Sequence, residues 1–279
     1  MSTELYGLQN INNSCFINAS LQLLMRIEKL KNFFIENTLE SNKLNEIKSM
    51  YNTYINKQTN NFLKIRAIIF KNIYEQQDAQ EFLIQIFQYI NKGLIDEYNK
   101  LKINYTNIEI SKIKLKNFLN NLINIEIITM KICKNCNKDK EVYKNEEPMI
   151  SLDVEGTLIN GIENFLREVY KEDIICEYCN GNKIYYYYNI TKIAEYLLIH
   201  IKNKKNAIDI PQKLIINKKI YILKCYILRI GLNIENGHFI AIVNIKDKQY
   251  ICNDNIIYEN RNDNIINNGY IYLYEYIEN

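Results

Sequence analysis

An α+β fold follows from three observations. Apolar residues recur at helical spacing through the first hundred residues, beginning with Ile17, Leu21, Leu24 and Ile27. From about Ile103 the pattern changes to short β-rich runs separated by turns. Helices come first and antiparallel-looking strands second, a segregation that separates α+β from alternating α/β chains.

In order along the chain, the periodicity predicts a helix opening at Cys15, then helices around Leu44–Ile55, Phe62–Lys71, Gln77–Ile90 and Leu94–Leu101. Strands are predicted at Ile123–Cys133, Glu141–Val154, Ile184–Ile201, Ile220–Ile230, Phe239–Ile245, Tyr250–Asn253 and Tyr270–Tyr276, with one helix interrupting at Gly161–Tyr170. The Asn-rich stretch Asn260–Asn268 reads as a mobile loop. A chain of 279 residues can bury a sizeable core as one large domain or two.

Composition narrows the class. A hydrophobic fraction of 47% with 24% charged residues is ordinary for a globular protein. A net charge of +3 is too small to argue for nucleic acid or an anionic membrane as partner, and lysines scattered among nearly as many carboxylates read as a solvated surface. The Met-Ser-Thr-Glu-Leu-Tyr start lacks a basic and apolar leader, and no apolar run reaches transmembrane length. With seven cysteines in that setting, a reducing compartment (cytoplasm or nucleus) is expected, where metal binding or catalysis outranks disulfides.

Cys15 lies between a polar, turn-forming run (Asn10, Asn12, Asn13, Ser14) and an apolar helical run. A thiol at a helix N-terminus meets unpaired N–H groups and the positive end of the dipole, which favour thiolate. The ordinary alternative is a small buried apolar residue, and position alone does not separate the two.

Two C-x₂-C pairs, Cys133–Cys136 and Cys176–Cys179, are the most specific signal. Each turns sharply enough to present both sulfurs, so four thiolates can close a tetrahedron round Zn²⁺ with no open position, a structural site. Nearby Glu141, Glu146, Glu147, Glu172, Asp173 and Glu177 argue against a nucleic-acid-binding zinc ribbon.

Two histidines make the search for a base short. His200 lies inside an apolar strand and reads as a core residue, whereas His238 follows Asn236-Gly237 and opens a strand, where it can face a cleft. Pleat parity bears on its partner. A two-residue turn near Lys246-Asp247 puts Asn253 on the face of His238, whereas an odd loop selects Asp254. Either can fix the imidazole tautomer.

A third cluster is Gln76-Gln77-Asp78-Ala79-Gln80-Glu81. Asp78 and Glu81 share a helix face. They read either as acids in a helix's first turn or as ligands for a cationic group on a substrate.

Together these stretches resemble the ubiquitin-specific protease family of cysteine deubiquitinases, over nearly the whole chain. Gly7–Gln22 follows the family's G-L-x-N-L-G-N-T-C-Y-M-N-S-x-L-Q box and Gln76–Leu83 its Q-Q-D-A-x-E-F-L. The cysteine pairs match its zinc-binding fingers, and Leu197–Lys202 is similar to L-I-I-H-L-K. Gly237-His238-Phe239 resembles G-H-Y, Tyr250–Asp254 the W-Y-x-F-N-D run and Gly269–Tyr276 the closing A-Y-V-L-F-Y strand. The departures are Asn12 for glycine, Ser14 for threonine, Phe16 for tyrosine, Asn203-Lys204 for Arg-Phe, and Gln249 for tryptophan. Asn tolerates positive φ next best after glycine, so the turn before Cys15 is expected to survive.

The resemblance implies a papain-like cysteine protease of thumb–palm–fingers architecture in a single domain. It places a helical thumb at about 1–102, a β palm at about 103–122 and 196–279, and zinc-binding fingers at about 123–195. It implies Cys15 as nucleophile, His238 as base, Asn253 as third member beside Asp254, and Asn10 as oxyanion donor. Asp78, with Gln77 and Glu81, would meet the arginine-bearing tail of ubiquitin. Structural Zn²⁺ on Cys133, Cys136, Cys176 and Cys179, ubiquitin and ubiquitinated proteins as partners, and a monomer complete the expectation. An inactive ubiquitin-binding scaffold, or a protease for a ubiquitin-like modifier, are the alternatives.

Overall fold

The computed structural model describes residues 5–58, 62–70, 74–104, 115, 117–204, 206–231 and 237–278. The first part is helical: α1 (Cys15–Leu24), α2 (Glu28–Glu36), α3 (Asn42–Ile55), α4 (Phe62–Ile69), α5 (Ala79–Asn104) and α6 (Phe118–Leu122). α1 is buried along its whole length, because helices lie on one side of it and the main sheet on the other. Phe16 meets Phe70 and Phe82 edge-on, with both ring centroids at 5.9 Å, locking α1 to α5.

Two sheets follow. β1 (Ile125–Cys133), β2 (Asp139–Glu147), β4 (Val169–Tyr170) and β5 (Ile184–Lys192) form a four-stranded sheet in the order β2-β1-β5-β4. β3 (Ile150–Val154), β6 (Tyr196–Lys204), β8 (Lys219–Ile230), β9 (His238–Ile245), β10 (Lys248–Asn253), β11 (Ile256–Glu259) and β12 (Gly269–Ile277) form the larger sheet in the order β11-β10-β9-β8-β12-β6-β3. β7 (Lys213–Ile216) pairs with β8 beside that path. Alternation splits the large sheet's residues between two cores. Phe239, Ala241 and Val243 face the helices, whereas Ile240 and Ile242 face the layer containing α7 (Leu158–Leu166).

Several boundaries differ from expectation. α2 was not anticipated, although Leu30 and Phe34 bury one face of it. The segments expected at Gln77–Ile90 and Leu94–Leu101 are one helix, α5. Residues about 103–122 were assigned to the β palm. Instead α5 runs to Asn104, and Phe118–Leu122 is helical because Leu119 and Leu122 bury together while Phe118 stacks on Phe33 at 4.5 Å. The rest of that stretch, 105–114 and 116, lies outside the described residues.

The run Glu141–Val154 breaks at Pro148, and β3 joins the large sheet by pairing parallel to β6, so residues 150–154 leave the fingers range. Likewise Ile184–Ile201 divides into β5 and β6 in different sheets, and the helix expected at Gly161–Tyr170 starts earlier and ends in β4. Asn260–Asn268 contains a 3₁₀ turn at Asp263–Asn268, with Ile266 buried and its carbonyl accepting from Tyr272 Oη at 2.7 Å.

Candidate active site

Cys15 is the first residue of α1, and the turn that aims it is built from asparagines. Asn12 and Asn13 take φ of +53° and +59°, a left-handed pair that L residues other than Asn rarely support. Ser14 Oγ accepts from the Ile11 amide at 2.9 Å, and the Ser14 amide donates to Asn10 Oδ1 at 2.9 Å. These bonds fold the turn back on itself, so the thiol emerges where the helix begins.

The thiol is buried, and its immediate partner is Gln76, whose Nε2 donates to Sγ at 3.2 Å. The backbone at Phe239, next to His238, and at Phe16 also favours its charged form. Burial pushes its pKa up; Gln76 and the backbone at Phe239 and Phe16 pull it down, and the negative charge of Asp254 pushes it up again. Burial wins over the helix N-terminus, so the resting group is held toward the neutral thiol, contrary to the thiolate bias expected from position alone.

His238 opens β9, where its side chain keeps about a third of its surface in solvent. The β9–β10 turn has two residues, with Lys246 at φ +53°, and the register pairs Ile245 with Lys248 and Ala241 with Cys252. One step further puts Asn253 opposite Ile240, diagonal to His238 and on its face. His238 Nε2 and Asn253 Oδ1 accordingly lie 2.7 Å apart. Nε2 is thereby taken by Asn253, and Nδ1 is outside this contact.

Asp254 takes a different role. At φ +51° it leaves the strand, and its carboxylate accepts from Asn10 Nδ2 at 2.9 Å and Asn18 Nδ2 at 2.8 Å. His238 Nε2 is 3.8 Å from Oδ2, too far for a hydrogen bond. The Leu8 amide donates to the Asp254 carbonyl at 2.8 Å, so the segment before the cysteine lies across this turn. Gly7 makes that possible, since a Cβ there would meet the Asn255 carbonyl oxygen at 2.4 Å.

The acidic cluster sits at the start of α5. Asp78 accepts from the Gln80 amide at 2.7 Å and from Tyr270 Oη at 2.7 Å, while Gln77 is half-buried beside it. Glu81 is exposed, within 3.4 Å of Gln85 Nε2. His200 is buried, 3.0 Å from Ser151 Oγ and edge-on to Tyr270, and burial depresses its pKa to about 4.

Far from the thiol, at the tip of the four-stranded sheet, the sulfurs of Cys133, Cys136, Cys176 and Cys179 lie within 4.8 Å of one another. Cys133–Cys179 and Cys136–Cys176 are 3.6 and 3.7 Å apart, close to the ~3.8 Å edge of a tetrahedron with bonds of about 2.3 Å. Both turns have the same build. The residue after each pair, Asn137 or Asn180, is left-handed at φ +55° or +56°, and its amide closes back on the Cys133 or Cys176 carbonyl at 2.7 or 3.0 Å.

Sequence reasoning did not single out Gln76 as a partner of the thiol, nor Asn18 as an anchor for Asp254. Asn18 lies on the inner face of α1 three residues after the cysteine, a polar residue where apolar ones prevail, and that was the available signal.

A helix-borne thiol packed beside a strand-borne His–Asn pair is the arrangement of a cysteine hydrolase. The model of the family described as ubiquitin carboxyl-terminal hydrolase matches residues 6–274, and the chain belongs to that family, as a cysteine deubiquitinase. No curated protein matches it.

Among solved structures, the yeast SAGA DUB module with an Sgf73 mutant has a TM-score of 0.80 at 17% identity, over 98% of this chain and 69% of that one. The SAGA Ubp8/Sgf11/Sus1/Sgf73 module bound to ubiquitin aldehyde gives 0.77 at 18% identity, over 98% and 70%. The module bound to monoubiquitin gives 0.76 at 17%, over 98% and 69%. The fold is thus the thumb–palm–fingers form of the papain-like proteases.

Proposed function

We propose that the chain is a thiol isopeptidase that hydrolyses the bond after the C-terminal glycine of ubiquitin. The observation that carries the reading is the 2.7 Å contact between His238 and Asn253, with β9, the strand that His238 opens, packed against the helix that Cys15 begins. Asn253 accepts from Nε2–H and so leaves Nδ1 unprotonated, the tautomer a base needs. His238 takes the Cys15 proton as sulfur attacks the carbonyl, a transfer that a burial-raised thiol requires. Asn10, with one amide hydrogen on Asp254, offers the other to the developing oxyanion. His238 then protonates the departing lysine amine, and water, deprotonated by His238, hydrolyses the thioester.

In this reading Asp78, fixed by Tyr270, presents its remaining lone pairs to the arginine of the ubiquitin tail, with Gln77 and Glu81 alongside. Cys133, Cys136, Cys176 and Cys179 would hold Zn²⁺, which supplies a structural crosslink and no open position for chemistry.

The test is labelling by ubiquitin-propargylamide, run in parallel with probes of ubiquitin-like modifiers. Ubiquitin should label wild type, Cys15→Ala should abolish it, and loss of Cys225 or Cys252 should not. Preference for another modifier, or no labelling by any, would overturn the reading.

A further inference from the structure

Arg66, in α4, is fully buried, and among the described residues no carboxylate forms an ion pair with it. Its guanidinium bridges two carbonyls: Nη1 donates to Asn12 O, and Nη2 to Glu75 O at 2.5 Å. Its Cζ lies 5.4 Å from the Phe16 ring centroid, and its Nε has no partner.

All three contacts converge on the thiol. Asn12 is in the left-handed turn before Cys15, Phe16 follows it, and Glu75 precedes Gln76, whose amide reaches Sγ. A guanidinium stays charged when buried, and a buried charge without a counter-ion is costly unless something offsets it. Around Cys15, the negative charge of Asp254 from the β10–β11 turn raises its pKa and Arg66 from α4 senses the sulfur, while His238 opens β9 3.8 Å from the Asp254 carboxylate. Arg66 is the permanent cation of the set, and a negative sulfur favours its charged form.

We propose that Arg66 is the positioning residue of Cys15: it ties the turn before the thiol to the segment carrying Gln76, and its buried charge favours the thiolate. The inference rests on Cys15 being the nucleophile. The experiment compares wild type, Arg66→Met and Arg66→Lys as full chains. Iodoacetamide alkylation is followed against pH by mass spectrometry of the peptide containing Cys15. Values of kcat and KM are measured on a ubiquitin–fluorophore amide, and melting curves report the fold.

Arg66→Met should raise the midpoint of Cys15 alkylation by about one pH unit. It should lose roughly tenfold or more in kcat with KM little changed. Arg66→Lys keeps the charge and should restore the midpoint, but one ammonium cannot span both carbonyls, so kcat should stay low. A folded Arg66→Met chain with the wild-type midpoint and kcat overturns the proposal. If Arg66→Met does not fold, Arg66→Lys decides: wild-type kcat overturns it, and reduced kcat at unchanged KM and midpoint supports it. Should wild type cleave no ubiquitin, the substrate reading fails, while the alkylation midpoint still decides the role of Arg66.

Discussion

Asn253 and Asp254 are adjacent in the chain and face different partners: Asn253 Oδ1 lies 2.7 Å from the His238 imidazole, whereas Asp254 accepts from Asn10 and Asn18. The division follows from Asp254 leaving the strand at positive φ.

The two substitutions should therefore fail in different ways. Asn253→Ala frees the imidazole to rotate, and Asp254→Ala releases Asn10 and Asn18. Each misplacement should cost about 100-fold in kcat. Asn253→Asp should recover much of the activity, since a carboxylate can also orient the ring, whereas Asp254→Asn should not, since Asn10 and Asn18 both donate. Steady-state kinetics on a ubiquitin–fluorophore amide check this, and equal rescue at both positions would count against the division of roles.

Gly7→Ala should act at the same place from the other side. The added methyl meets the Asn255 carbonyl at 2.4 Å, backbone that cannot yield cheaply. A stability loss of roughly 1–3 kcal/mol is expected from such overpacking, with lower kcat because Asp254 is displaced. Urea unfolding and kinetics measure both, and an unchanged midpoint would show that the turn gives way freely.

Metal removal should loosen the four-stranded sheet at its tip. Cys136→Ser or a strong chelator should release one Zn²⁺ per chain and lower the melting temperature, because structural zinc binding is part of folding free energy. Metal analysis and calorimetry report it. Since the sulfurs lie far from Cys15, iodoacetamide should still reach the Cys15 thiol at its former rate, and loss of that reaction would tie the two regions together.

His200 predicts an acid weakness. Its folded pKa, depressed to about 4 by burial, lies below the ~6.5 of an unfolded histidine. The unfolded chain therefore binds the proton that the folded chain refuses. The stability so supplied is intact above pH ~6.5 and lost as pH falls from there through 4. The expected loss is roughly 2–3 kcal/mol. Unfolding by urea at pH 7 and pH 4 should show a smaller loss for His200→Gln, and equal losses would refute the assignment.

What was legible in the sequence was what local rules decide. Pleat parity linked a two-residue turn to Asn253, because a strand's period of two leaves no freedom once the loop length is known. Asn12 was expected at positive φ from residue type and is found there. Paired C-x₂-C spacings predicted four converging sulfurs. What was missed depends on tertiary context. A β-rich run cannot show that its two halves join different sheets, although Pro148 marked the break between β2 and β3. Nothing in the spacing of Gln76-Gln77 distinguishes the residue that meets the thiol, and Arg66 in an apolar helix gave no hint of the carbonyls it bridges.

The bonds from Asn10 and Asn18 to Asp254 join residues 244 and 236 positions apart. Contacts of such long sequence separation form slowly, after local helices and hairpins. During synthesis the thiol helix is made first, and the strand that His238 opens and the turn that holds Asp254 emerge only after more than two hundred further residues. Under the proposed mechanism, a growing chain at the ribosome thus holds the Cys15 sulfur without His238 or Asp254, and cleavage has to wait for the segment that carries them.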